Sequence, residues 1–172
     1  MVSGSVLIGV ANSCSPTLHK FKQTMIKDQL GQFELAVASR GLRGGLVFLN
    51  QRVKHRCTVM YSLNGDKLEM VELVDKLHDP ATAVPAPIPL SQSFCQITLQ
   101  DGQLSTSDSA GDSRLNGKTY QGVIKSYVGL PLSRSAGTLF GTLCHYDFDE
   151  QTIDDDEFQF LQQAAVVLAK AI

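Results

Sequence analysis

A chain of 172 residues, 43% apolar and 19% charged, is long enough for one packed core and too apolar to stay disordered. A formal charge of −2 supplies no basic face, which argues against nucleic acid as a direct ligand. Four cysteines (Cys14, Cys57, Cys95, Cys144) lie far apart without CxxC or Cys/His spacing, so reduced thiols, a cytoplasmic setting and no metal or other cofactor are expected.

The apolar run over 6–11 follows no Lys or Arg and is too short to span a bilayer; it is read as an arm of the domain, with no membrane association. Over 17–38, Leu18, Phe21, Met25, Leu30, Phe33 and Val37 recur at helical spacing, with Gly31 a weak point. Leu42, Leu46, Leu49 and Val53 predict a second helix, against a competing strand over 45–49. From Cys57 to Leu63 apolar and polar residues alternate, as in a half-buried strand. Asn64-Gly65 turns the chain into a second strand over 67–75, paired antiparallel with the first. Pro80, Pro85, Pro87 and Pro89 make 78–90 an extended connection that is neither helix nor central strand. Ser91 is expected to cap a short helix ending at Asp101-Gly102, followed by a brief strand over 103–107. Residues 120–125 read as a helical turn or two, and 127–133 and 139–148 as strands joined by a turn at Ser135-Ala136-Gly137. Asp154 to Glu157 form an acidic first turn for a last helix, whose stripe is Phe158, Leu161, Ala165, Leu168 and Ile172. Runs of strands between helices describe an α+β sheet.

Leu130-Pro131-Leu132, followed by Gly141-Thr142-Leu143-Cys144-His145-Tyr146-Asp147, resembles the GAF family in order and spacing. So do Leu49-Asn50-Gln51-Arg52, Ser93-Phe94-Cys95, and the loop 107–115, where Ser113 replaces the family's proline. The resemblance covers about residues 41–171 and implies one GAF-like, PAS-related domain over 1–172, with 1–40 an N-terminal arm and helix and 41–172 the core. It implies a central antiparallel sheet, terminal helices on one face, and an inserted segment of loops and short helices covering the other. It further implies a regulatory or sensory domain in signal transduction that changes conformation when a small molecule binds. The expected lining is Tyr61, Phe94, Cys95, Asp108, Tyr127, Gly129 and Tyr146.

An enzyme is not expected. Cys144 and His145 are neighbours on a strand and point to opposite faces, which disfavours a nucleophilic pair. Bilin attachment is disfavoured too, because the family's Cys-His pair for it lies in an inserted helix. The alternatives are a thiol enzyme like the free methionine-R-sulfoxide reductases and a ligand-free protein-interaction domain. Against the reductase, no cysteine lies between Cys95 and Cys144, where that family places its catalytic thiol. Phosphodiesterase-type cyclic-nucleotide binding lacks its motif, since Asp147-Phe148 stands where Asn-Lys is required. Asp154 to Glu157 as a metal cluster yields to the helix-start explanation. His19, His55 and His78 are taken as solvated, and Gly129 and Gly141 mark a bulge or a close backbone approach. The two terminal helices carry more apolar surface than one sheet face covers, which predicts a homodimer through them and a signal passed to a separate output protein.

Overall fold

A computed structural model of the protein describes residues 16–79, 87–134 and 137–172, with side chains from residue 20 onward. The apolar arm over 6–11, Cys14, the side chain of His19, the connection over 80–86 and the tip at Ser135-Ala136 lie outside the described residues. The first helix, α1, spans Pro16–Arg52. The two predicted helices are one run bent at Gly41, where φ 66° and ψ −165° form a combination open to glycine and strained for any side chain. The chain stays helical through Gly31 and through 45–49, so neither the weak point at Gly31 nor the competing strand is present.

β1 (Cys57–Asn64) and β2 (Lys67–Asp75) form the expected hairpin. Asn64 pairs with Lys67, so the turn is Gly65-Asp66 and Asn64 is the last strand residue. β3 is only Ile88–Pro89, an edge position where a proline's missing N–H is harmless. A 3-10 turn follows over Leu90–Gln92, and α2 spans Cys95–Asp101. Ser91 is therefore not a helix cap: Ser93 donates both its amide and its hydroxyl to the Leu90 carbonyl, closing that turn before the helix begins. Gly102, left-handed at φ 78°, ends α2 as expected.

β4 (Leu104–Thr106), β5 (Ser126–Ser133) and β6 (Leu139–Asp147) complete the sheet. Residues 120–125 make one hydrogen-bonded turn instead of a helix. The amides of Val123 and Ile124 both donate to the Tyr120 carbonyl, and Gly122 at φ 77° takes the chain out of helical geometry. α3 spans Asp155–Ala169 and is opened by Asp154, whose carboxylate accepts from the Glu157 amide at 2.8 Å.

The six strands run β3-β2-β1-β6-β5-β4, every neighbouring pair antiparallel. One face packs Met60, Val128, Leu130, Leu132 and Leu143 under α1 and α3. The other packs Val59, Tyr61, Tyr127, Cys144 and Tyr146 under α2 and the loops of 88–125. β2 serves both faces through a bulge: Met60 pairs with Glu72 and Tyr61 with Met70, leaving Val71 as the extra residue. The bulge reverses the alternation, so Leu68, Met70 and then Leu73 join the second face, while Val74 joins the first. Arg52 ties α1 to α3. Its guanidinium donates to both carboxylate oxygens of Glu157 at 2.8 and 2.7 Å and lies 3.8 Å from the Phe160 ring centre. Among the described residues no helix is long and apolar enough to cross a membrane.

Candidate functional site

The second face of the sheet and the segment above it line a partly open cavity of about 30 Å³. Tyr61 reaches it from β1, Tyr127 from β5, Tyr146 from β6, and Phe94 and Cys95 from the start of α2. The predicted lining thus comes together with two exceptions. Asp108 lies outside it: its carboxylate is exposed and accepts from the amides of Ala110 and Gly111, a turn-closing role that turns it away from the cavity. Gly129 lies beside the cavity. A Cβ there would run into Thr98 Oγ1 and stand 2.5 Å from Tyr127 Oη, so the missing side chain lets α2 approach β5.

Strand alternation puts Thr142, Cys144 and Tyr146 on the cavity face and His145 on the other, as the Cys-His reading required. The polar centre of the cavity is a sulfur pair. Cys95 Sγ lies 3.7 Å from Cys144 Sγ, and both are in reach of Tyr127 Oη, at 3.4 and 3.0 Å. The Cys144 thiol donates to Thr142 Oγ1 at 3.4 Å, and the Thr142 hydroxyl donates to Cys95 Sγ at 3.3 Å. Thr98 Oγ1 is 3.2 Å from Tyr127 Oη, so the tyrosine hydroxyl touches a second side chain of α2 as well as both sulfurs.

The adjoining Cys144 sulfur, then hydrogen bonds from Thr142 and Tyr127, hold the Cys95 thiol down to about 7, against burial. Burial pushes Cys144 and Tyr127 well above their ordinary values, and the nearby sulfurs reinforce this. Cys57, on the same face, is pushed up to about 11 by burial. Cys95 is therefore the sulfur poised to ionise and Cys144 the one that keeps its proton. Thr98 and Thr142 were not anticipated from the sequence. Their signals were spacing: Thr98 follows Phe94 by one helical turn, and Thr142 shares the strand parity of Cys144 and Tyr146.

The histidine reading needs a correction. His55 is 1% exposed instead of solvated, because the α1–β1 connection tucks it under the helix-facing side of the sheet, 6.5 Å from the His145 ring. His78 is exposed, as expected.

A family model for the GAF domain matches residues 42–172. The chain belongs to the GAF family. Several solved structures share its fold. The GAF domain of an Acinetobacter phosphoenolpyruvate-protein phosphotransferase is 14% identical with a TM-score of 0.69, covering 84% of this chain and 90% of that one. The free methionine-R-sulfoxide reductase of Neisseria meningitidis, solved with its substrate, is 18% identical with a TM-score of 0.66, covering 87% and 89%. The GAF domain of a Bacillus halodurans two-component sensor histidine kinase is 17% identical with a TM-score of 0.57, covering 74% and 88%. No curated protein matches the chain. The GAF fold predicted from the sequence is thereby established, and the neighbours include both signalling domains and reductases.

Proposed function

We propose that this GAF domain is a regulatory module in signal transduction that takes a small molecule between its sheet and the segment 91–125. The observation that carries this reading is the partly open cavity lined by Tyr61, Phe94, Tyr127 and Tyr146, an apolar recess with a few convergent polar atoms. At about 30 Å³ it is well below the roughly 300–1,000 Å³ of an ordinary ligand site, so entry requires the covering segment to lift. That segment is held by replaceable contacts: Lys118 donates to the Ser91 carbonyl at 2.8 Å and to Gln96, and the Thr119 amide donates to the Gln92 carbonyl at 3.1 Å. Binding is thereby coupled to a change of shape. Buried free thiols at Cys57, Cys95 and Cys144 suit a reducing compartment such as the cytoplasm. A thermal-shift screen of metabolites tests the reading. A hit whose effect is lost in Phe94→Ala supports it; no shift with any class of metabolite overturns it.

The reductase reading is favoured by one observation, the 3.7 Å sulfur pair, and is disfavoured by a cavity too small for a free amino acid without rearrangement. Turnover of free methionine-R-sulfoxide with a thiol reductant, abolished in Cys95→Ser, would establish it, and no turnover would dismiss it. Output is expected to pass through a dimer. Phe21, Met25 and Leu35 of α1 and Val166 of α3 stay exposed, a set of large apolar side chains that a second copy would cover before a separate output protein is engaged. Light scattering at micromolar concentration checks it, and a mass of one chain refutes it.

A further inference from the structure

Two cysteines far apart in sequence meet inside the domain, one at the first turn of α2 in the covering segment and the other at the middle of the sheet on β6. Their sulfurs are 3.7 Å apart, and a disulfide bond is about 2.05 Å, so bonding asks for roughly 1.7 Å of approach. Closing the bond therefore requires side-chain rotation and a shift of α2. The cavity beside the sulfurs has a volume of about 30 Å³, more than the roughly 10–15 Å³ that holds one water molecule. A reagent the size of peroxide fits there, whereas an amino acid does not.

We propose that Cys95 and Cys144 form a peroxide-reactive dithiol that closes to a disulfide joining the covering segment to the central strand. The inference uses the same cavity as the sensing reading but stands on the sulfur geometry. Cys95 is the attacking sulfur, since its thiolate accepts from Thr142 and is contacted by Tyr127. Its attack on one peroxide oxygen breaks the O–O bond, making a Cys95 sulfenic acid and releasing hydroxide. The Cys144 thiol, whose sulfur lies 3.7 Å from Cys95 Sγ, gives the proton that turns this hydroxide into water and is left as the thiolate. The Cys144 thiolate then attacks the Cys95 sulfur, the S–O bond breaks, and the second hydroxide takes a proton from solvent to leave as water. The two thiols lose two electrons in all, and peroxide is reduced to two waters. The bond pins the first turn of α2 to β6 and removes both sulfurs as partners of Tyr127. Oxidation therefore locks the covering segment over the cavity.

The full chain, reduced and freed of reductant, is treated with hydrogen peroxide, alkylated and digested without reductant. A linked Cys95–Cys144 peptide is expected, reversed by dithiothreitol, with Cys57 remaining alkylatable. In Cys144→Ser, Cys95 should stop at the sulfenic acid and be trapped by dimedone. In Cys95→Ser, oxidation of Cys144 should slow by about ten-fold or more, since a raised thiol is a poor nucleophile. Near-UV circular dichroism confirms that both variants are folded, and the parent result stands without them. Absence of the linked peptide in the parent overturns the proposal, as does a Cys95 that dimedone never labels in folded Cys144→Ser. A linked peptide formed with free methionine-R-sulfoxide but not with peroxide overturns it in favour of the reductase reading. The metabolite screen on the reduced chain reads sensing separately, so each idea can fail without the other.

Discussion

His55 and His145 allow a quantitative prediction because they are buried without adequate partners. Both nitrogens of His55 and Nε2 of His145 lack a hydrogen-bond partner among the described residues. Asn50 donates to Thr58 Oγ1 at 3.0 Å, and the Thr58 hydroxyl shares a hydrogen bond of 2.8 Å with His145 Nδ1. Burial lowers His55 to about 4, with Asp147 opposing and Lys76 assisting. Burial lowers His145 to about 3, assisted by the charges of His55 and Lys76. In the unfolded chain both titrate near 6.5, so below that pH the unfolded state takes up protons that the folded state refuses. Stability is therefore full above about pH 6.5 and falls as the pH drops toward the folded values. At pH 4.5, two units below the unfolded value, each ring costs about 2.5 kcal/mol, or about 5 kcal/mol for the pair, at roughly 1.4 kcal/mol per unit. That is much of a typical domain's stability of about 5–15 kcal/mol. Replacing His55 by Leu removes one titrating ring and no side-chain hydrogen bond among those described, so stability at pH 7 should change by less than about 1 kcal/mol. The acid loss should shrink by about 2.5 kcal/mol. Urea unfolding of parent and His55→Leu at pH 7.0 and 4.5 gives the four numbers needed. If the variant loses as much stability on acidification as the parent, burial of a neutral His55 is not what drives the acid limb.

Gly129→Ala should destabilise by about 1–3 kcal/mol, because its Cβ collides with Thr98 and Tyr127 and pushes α2 off the sheet; thermal melting with near-UV circular dichroism reads both effects. Arg52→Ala should cost about 1–3 kcal/mol in urea unfolding, losing the forked bond to Glu157 and the stacking on Phe160, and a large share should survive in high salt since the stacked face excludes water. Asp154→Ala should cost about 1 kcal/mol by leaving the Glu157 amide without its cap, with Asp154→Asn recovering most of it.

Most of the fold was legible because its signals are local. The alternation from Cys57 to Leu63, the stripe of α3 and the glycine at 102 each report on geometry within a few residues. What was missed depends on partners distant in the chain or on backbone choices open to several sequences. Ser91 has a capping residue's chemistry, yet the turn that Ser93 closes onto the Leu90 carbonyl comes first, and α2 begins only at Cys95. The bend at Gly41 falls between the two helical stripes read over 17–38 and from Leu42, so helical spacing did show where α1 breaks. The bulge at Val71 leaves no mark in composition, although it decides which face each later residue of β2 serves.

The site divides along the same line. Alternation put Cys144 and Tyr146 on the same side of their strand and the GAF resemblance named the segment that closes over the lining, but which face of the last strand it covers was not legible. Nor was the pairing of Cys95 with Cys144, because it needs both the register of β6 against β5 and the depth at which α2 sits. Gly129 links the two. It pairs with Cys144 across β5 and β6, and its missing side chain is what allows α2 to come close enough for Thr98 to meet Tyr127. A larger residue at 129 would therefore do more than loosen packing. It would draw Cys95 away from Cys144, so slower disulfide closure in Gly129→Ala with Cys95 still labelled by dimedone would place the control of the thiol chemistry in the position of α2.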